Sequence, residues 1–352
     1  MKLLVISTQV LPTPPVGADG KTTYGGLEAV VANHVKGLAN LGEDVTLIAA
    51  KGSKVPSNVE LLEIEKPGDF GPSEERAFWH YKHLLNNYDA ILDHSWFKWS
   101  MLAGESLPVI GTMHSPLPFK GPPPKKYPML CGVSAQHSLY ASKMLMDDAG
   151  RRVPVRTTWN SVDMSLYPYV KERGDYFLSV NRIDPIKGIH VFADWCKRAG
   201  VKGKIVGDDK LIIQDKNYPE QIKKQCAESN GLIEYVGLAS HEDKVKMMQG
   251  CRAVVLLPQL PNYLEVFGLA AVEAMACGKP VLCSPNCGLL DIVENGHTGF
   301  LVETYEQFVG ATRAVDAIDP EVCRKRAEQF SIEIITPKYR DMILKVAAGC
   351  RW

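Results

Sequence analysis

The stretch Pro14 to Gly26, PPVGADGKTTYGG, lies between an apolar run, Leu3 to Ser7, and an amphipathic one, and its reading decides the fold. The triplet Gly20-Lys21-Thr22 suggests a P-loop, which wraps phosphates in successive backbone N–H groups and needs a glycine five positions before the glycine of GKT. Pro15 stands there, without an N–H, and Gly17 comes too late for the loop to close round a triphosphate. What remains is a strand, a glycine-rich loop ending at Gly25-Gly26 and then a helix. Such a junction offers free amides and the positive end of a dipole to an anion.

Beyond this loop Leu27, Val30, Val31, Val35, Leu38 and Leu41 recur at helical spacing, and Gly42 follows where helices stop. Val45 to Ala50 is then a short apolar strand, and further β-rich runs lie at 90–92, 108–110, 129–133 and 155–158. A second series runs through 176–180, 204–206, 233–236, 253–257 and 280–283. Strands alternating with helices predict parallel sheets covered on both faces. The fold class is therefore α/β, with two facing, doubly wound, Rossmann-like domains. Periodicity lapses between Trp159 and Asp175, which gives 1–165 as one domain, 166–331 as the second and 332–352 as a last helix crossing back to the first. Such sheets bind ligands at the carboxyl ends of their strands, so a central cleft between the domains is the expected site.

Forty basic residues balance forty acidic ones, which disfavours a nucleic-acid partner. Nine cysteines, eight of them at or beyond Cys196, show neither CxxC spacing nor pairing with histidines. They read as buried thiols of a cytoplasmic protein, and no apolar segment reads as a signal peptide or a membrane span.

Three groups of residues are out of place for a merely structural role. Val266 to Gly278, VFGLAAVEAMACG, is apolar on every face of a helix except at Glu273. A helix apolar all round is buried, and a carboxylate on it costs several kcal/mol unless hydrogen bonds answer it. Glu273 is thus a candidate for holding a hydroxylated ligand, the alternative being that it reaches solvent at the helix edge. Glu265 stands just before the helix, and Gly268 lets backbone approach whatever sits at its start. NRIDPIKG, Asn181 to Gly188, follows a strand directly and puts Arg182 and Lys187 at its carboxyl end, where two cations suit a diphosphate. An ordinary solvated loop is the alternative. GTMHSP puts His114 in the same kind of position in the first domain, although a lone histidine is often structural.

Together these residues resemble the retaining glycosyltransferases of family 4. Glu265 to Glu273 matches the E-x7-E motif of that family, and the likeness extends to the Gly25-Gly26 loop, His114, NSVD at Asn160 to Asp163, Arg182 with Lys187-Gly188, YVG at Tyr235 to Gly237, EVFGLAAVEAMACGKPVL and GHTGFLV. The resemblance implies the GT-B architecture. It implies that Glu273 holds ribose hydroxyls, that Glu265 holds hydroxyls of the donor sugar, and that Arg182 and Lys187 neutralise the departing diphosphate. Amides of Gly25, Gly26 and Val266 to Gly268, with Phe267 between, would assist, Gly237 would belong to the donor site, and His114 would contact the sugar near the reacting carbon. Asn181, Ser161 and Asp291 depart from the residues common in the family. No Asp-x-Asp pair ends a strand, so no metal and no cofactor are expected beyond the nucleotide sugar itself.

The expected function is transfer of a hexose from a nucleotide diphosphate sugar, a UDP-sugar first, to a hydroxyl acceptor with retention. A nucleotide-sugar epimerase or hydrolase of the same fold, or a non-catalytic sensor, are the alternatives. A nicotinamide dehydrogenase is disfavoured, because no GxGxxG follows either first strand. The acceptor is a small molecule, a glycan or a lipid-linked one. SPLPFKGPPPKKYP, Ser115 to Pro128, and AFWHYKHLL from Ala77 leave open a peripheral membrane contact, against a rigid loop and a core-facing helix.

Overall fold

The computed structural model describes residues 1–15, 25–104, 107–117, 129–147, 149–210 and 215–352. Gly20-Lys21-Thr22 and, from the proline-rich loop, Phe119, Lys120, Lys125, Lys126 and Tyr127 lie outside the described residues. The chain forms two compact units, Met1–Val162 with Ser331–Trp352, and Asp163–Phe330.

The first unit is built on strands β1 (Lys2–Ile6), β2 (Asp44–Ala49), β3 (Glu60–Glu63), β4 (Ala90–Asp93), β5 (Val109–Thr112), β6 (Leu130–Gly132) and β7 (Val155–Thr157). They pair in the order β3-β2-β1-β4-β5-β6-β7, all parallel among the described residues. Its helices are α1 (Gly26–Asn40), α2 (Pro72–Tyr81) and α3 (Ala135–Met144). β1 reads as an unbroken apolar run because it is covered on both faces. Leu3 and Val5 pack with Val31, Val35 and Leu38 of α1, whereas Leu4 and Ile6 pack with Phe78 and Tyr81 of α2. Of the aromatic run from Ala77 to Leu85, Ala77, Phe78, Tyr81 and Leu85 are buried, whereas Trp79, His80, Lys82 and His83 are exposed.

The second unit carries β8 (Tyr176–Val180), β9 (Lys202–Val206), β10 (Ile233–Gly237), β11 (Ala253–Leu256), β12 (Val281–Cys283) and β13 (Gly299–Leu301), in the parallel order β10-β9-β8-β11-β12-β13. Helices α4 (Ile189–Ala199), α5 (Tyr218–Ala227), α6 (His241–Gly250), α7 (Leu269–Ala276), α8 (Gly288–Ile292), α9 (Tyr305–Ala314) and α10 (Pro320–Glu328) complete it. In both units the strand order reverses beside the first strand, β1 and β8, the position where doubly wound sheets take ligands. α11 (Ile332–Ala347) returns to the first unit, where Tyr339, Ile343 and Val346 join the α1 side of the core. A Cβ on Gly37 would lie 2.2 Å from Thr336 Oγ1, so only glycine lets α1 and α11 approach this closely.

Two edge strands escape a reading by apolar runs. β3 is ELLE, half exposed with acids at both ends, and β13 is three residues opened by Gly299, whose Cβ would lie 1.9 Å from the Val281 carbonyl. All nine cysteines are free thiols, and seven of them are buried. Among the described residues no helix is long and apolar enough to cross a membrane.

Candidate active site

In the second unit the site grows from the carboxyl ends of β8 and β11. β8 ends at Val180, and after Arg182 the chain turns through Pro185–Lys187, with the Asp184 carboxylate accepting from the Ile186 N–H. Gly188 follows at φ 68°, and a Cβ there would lie 2.0 Å from the Leu257 carbonyl. The turn is thereby pressed onto the end of β11, held by the Gln259 N–H on the Ile186 carbonyl at 2.9 Å. This delivers the Lys187 side chain, 7% exposed, to the loop after β11.

That loop fixes Glu265 by its backbone. Its N–H donates to Asn286 Oδ1 at 2.9 Å, and its carbonyl accepts from the Gly288 N–H at 2.8 Å. Gly268, at φ 99°, then turns the chain into α7; a Cβ on it would lie 2.5 Å from Leu289 Cδ2. The helix thus starts at Leu269, and Val266 and Phe267 belong to the turn ahead of it rather than to the helix expected from Val266. Both side chains are buried, Phe267 against the ring of Phe330, so only their backbone is available to a ligand.

The charges of this region meet in pairs. Lys187 Nζ lies 2.5 Å from Glu265 Oε2, donates to Tyr263 Oη at 3.0 Å and sits 4.3 Å from the centre of the Tyr263 ring. Arg182 Nε lies 3.5 Å from Asp184 Oδ2, and among the described residues this buried nitrogen makes no hydrogen bond. Glu273 is 13% exposed at its side chain; Tyr167 Oη donates to its Oε1 at 2.7 Å and Lys244 Nζ to its Oε2 at 2.9 Å. Burial by itself pushes this carboxyl up, but the Lys244 ammonium and the two hydrogen bonds outweigh it and hold it below its ordinary value. Gly237 ends β10, two strands from β8, with Tyr235 and Asp209 as neighbours.

In the first unit histidines follow the corresponding strand ends. His114 follows β5, and its Nε2 lies 3.0 Å from Nδ1 of His94, which follows β4. The His94 ring in turn lies 5.4 Å from that of His34 on α1, with Tyr339 of α11 edge-on to His34 at 4.8 Å. Burial, joined by the neighbouring imidazoles and Lys98, holds His94 and His114 well below the usual histidine range. The loop behind them is braced by Asp93, whose carboxylate accepts from Ser95 and Ser100, and by Glu74, which accepts from the Trp96 and Phe97 amides at 3.0 Å. Gly26 opens α1. A Cβ on Gly25 would lie 2.5 Å from Pro15 and 2.9 Å from Glu28 Oε2, which keeps that junction narrow.

Of the residues expected from sequence, Lys187 and Glu265 are brought into contact, with Arg182 on the same strand end and Glu273 one helix further on. Gly237 stands apart within its sheet, and His114, Gly25 and Gly26 belong to the other unit. Tyr263, Tyr167, Lys244 and His94 were missed. The sequence carried a signal only for His94, an Asp-His pair at a strand end. Among the described residues no group of three or more His, Cys, Asp or Glu side chains could hold a metal ion.

Comparison with known proteins matches each half of the chain to a glycosyltransferase model. Residues 24–164 match the model described as Glycosyltransferase Family 4, and residues 169–329 match that described as Glycosyl transferases group 1. An uncharacterized glycosyltransferase of Methanocaldococcus jannaschii is 32% identical over 154 residues, which covers 43% of this chain and 41% of that relative. A glycosyltransferase involved in avilamycin A biosynthesis, 20% identical, superimposes with a TM-score of 0.74 over 100% of this chain and 99% of its own. HepE of Anabaena, solved in complex with UDP and glucose, is 17% identical, with a TM-score of 0.70 over 98% of this chain and 100% of its own. These likenesses show the fold, two Rossmann-like domains of the GT-B type.

Proposed function

The chain belongs to the family 4 glycosyltransferases, and from that premise we propose that it moves a sugar from a nucleoside diphosphate sugar, a UDP-sugar first, to an acceptor hydroxyl with retention and without a metal ion. The observation that carries this reading is the contact of Lys187 with Glu265 at the turn into α7. Before ligand arrives, an ammonium and a carboxylate neutralise each other there. When a donor enters, each exchanges its partner for a part of the ligand, Lys187 for the diphosphate and Glu265 for hydroxyls of the sugar.

The chemistry follows from the charges. As the bond between the anomeric carbon and the diphosphate breaks, negative charge grows on the diphosphate, beside Lys187 and Arg182. The sugar passes through an oxocarbenium-like state while the acceptor hydroxyl attacks the same face and gives its proton to the departing diphosphate oxygen. A preorganised cation stabilises that growing charge without reorganising at the moment of reaction. Glu273 takes the ribose hydroxyls, and the His114 imidazole of the first unit, held neutral by burial, suits a hydrogen bond to an uncharged hydroxyl. The UDP bound to HepE supports UDP as the first nucleotide to test.

The test is mass spectrometry of products from UDP-, GDP- and ADP-sugars with mixed acceptors, with the anomeric configuration read by NMR. An acceptor-dependent product of retained configuration, formed at the same rate with a chelator present, supports the reading. Donor altered without acceptor identifies an epimerase or hydrolase instead, and donor bound but never turned over identifies a sensor. Loss of activity with chelator, restored by manganese, removes the metal-independent part.

A further inference from the structure

Glu273 already has both carboxylate oxygens engaged by the protein, and the form of that engagement bears on its work. Tyr167, just past a short turn at Met164–Leu166, donates to one oxygen at 2.7 Å; Lys244, from α6, donates to the other at 2.9 Å. A carboxylate offers about four lone-pair directions, so one bond to each oxygen leaves one free on each. Two neighbouring hydroxyls match such a pair. The group is not sealed, with 13% of its side chain exposed.

We propose that Tyr167 and Lys244 are positioning residues for Glu273, fixing the plane and charge in which its remaining lone pairs take the two ribose hydroxyls of the nucleotide. The proposal rests on the reading of Glu273 given above. Stability alone does not account for the arrangement, because a buried ion pair gains little over apolar packing of the same volume. α7 is otherwise apolar.

The surroundings make the dependence on Lys244 specific. Facing this carboxylate and its phenol are Asp163 ahead of β8, His241 and Lys244 on α6, and Cys277 at the end of α7, while Arg324 of α10 caps the Ala276 carbonyl. The His241 ring stands edge-on to Tyr167 at 5.4 Å, and its buried Nε2 has no hydrogen-bond partner among the described residues. Of these groups Lys244 supplies the ammonium in contact with Glu273. Without it, burial pushes the carboxyl up, and a protonated Glu273 accepts less well from ribose.

The experiment is calorimetric titration of the full chain with whichever of UDP, GDP and ADP binds tightest, and with its 2′-deoxy counterpart, at several pH values between 5 and 8. In the unmodified protein the ribose form should bind about tenfold more tightly at every pH, as for one charged hydrogen bond. Glu273→Gln should remove most of that ratio; an unchanged ratio in this variant, or no binding by any of the three nucleotides, overturns the reading of Glu273. Tyr167→Phe and Lys244→Met should each bring the ratio below about threefold, the latter more strongly as pH falls. If Glu273→Gln collapses the ratio while these two variants keep it at all pH values, the positioning role is overturned and the reading of Glu273 stands.

Discussion

The second unit presents its chemistry as opposite charges in contact, whereas the first presents a line of neutral imidazoles. Lys187 faces Glu265, Lys244 faces Glu273 and Arg182 faces Asp184, all within one unit. His114, His94 and His34 face one another, with burial holding each below the usual range. An ion pair can trade its internal partner for a charged ligand without exposing a bare charge. A neutral imidazole has no charge to trade and can only give or take a hydrogen bond. On the proposed reading, charge neutralisation belongs to the second unit, and the first has only hydrogen bonds to offer from its imidazoles.

The largest expected effect follows from removing one side of a traded pair. On the proposed reading, Lys187→Ala deletes a cation acting on charge that grows as the diphosphate leaves. A rise of about 2–4 kcal/mol in the barrier, roughly a 30- to 1000-fold loss in kcat, is expected with the fold intact. Turnover within threefold of the unmodified enzyme, with a normal circular dichroism spectrum, would take Lys187 out of the chemistry and collapse the contrast between the units.

Next comes a stability effect confined to the first unit. Burial brings His34 and His137 to about 4, below the unfolded value near 6.5. Unfolded histidines therefore bind protons in a range where the native ones do not. The stability they represent is present above pH 6.5 and lost as pH falls toward 4, on the order of 2–3 kcal/mol for His34. Glu28, on the same helix, is pushed up to about 7 by burial and acts in the opposite sense, favouring the native state as pH falls from 7 toward 4.5. Hydrogen exchange of α1 and β1 against pH should show His34→Gln flattening the acid limb and Glu28→Gln steepening it. Equal slopes in all three proteins would mean that the imidazole line is not neutral in the folded state.

How much of this was legible depended on whether a residue acts alone or through a partner distant in sequence. The alternation of apolar runs yielded both sheets, because strands covered on both faces are written as unbroken apolar stretches such as LLVI and AVVL. β3 and β13 were not legible because neither is an apolar run: ELLE carries acids at both ends and GFL opens on a glycine. Glu273 stood out because a carboxylate on an apolar helix must be answered, and the structure shows the answers. Their identity was not legible: Tyr167 lies 106 positions before Glu273, Lys244 lies 29 before it, and neither carries a local pattern. Tyr263 was hidden for the same reason. The helix start was misplaced by three residues because Val266 and Phe267 are apolar for packing in a turn, and Gly268, at φ 99°, is where the helix begins.

A third expectation separates recognition within the second unit. If Glu265 exchanges Lys187 for sugar hydroxyls, Glu265→Gln should leave the affinity for free nucleoside diphosphate unchanged and weaken the complete donor. The size should be on the order of 1–3 kcal/mol, read by calorimetry with both ligands. Equal weakening of both would place Glu265 on the nucleotide rather than the sugar.

The smallest expected effect concerns Tyr263, which gives Lys187 a neutral partner beside its charged one. Its hydroxyl accepts from Nζ at 3.0 Å, and its ring lies 4.3 Å from the ammonium. The two contacts can be removed in turn. Tyr263→Phe keeps the ring and loses the hydroxyl, an expected change of about 1 kcal/mol or roughly fivefold in kcat/KM. Tyr263→Ala loses the ring as well, with a further 0.5–1 kcal/mol expected from the missing cation–π contact. If the tyrosine serves to hold the ammonium in place once Glu265 has turned to the sugar, both losses should appear in kcat more than in KM, since the cation is most needed as the diphosphate departs. If instead Tyr263 only fills space, Tyr263→Phe should match the unmodified enzyme and Tyr263→Ala should lower the melting temperature without a separate effect on kcat. That outcome would leave the Lys187–Glu265 pair as the working unit and make its phenolic neighbour packing alone.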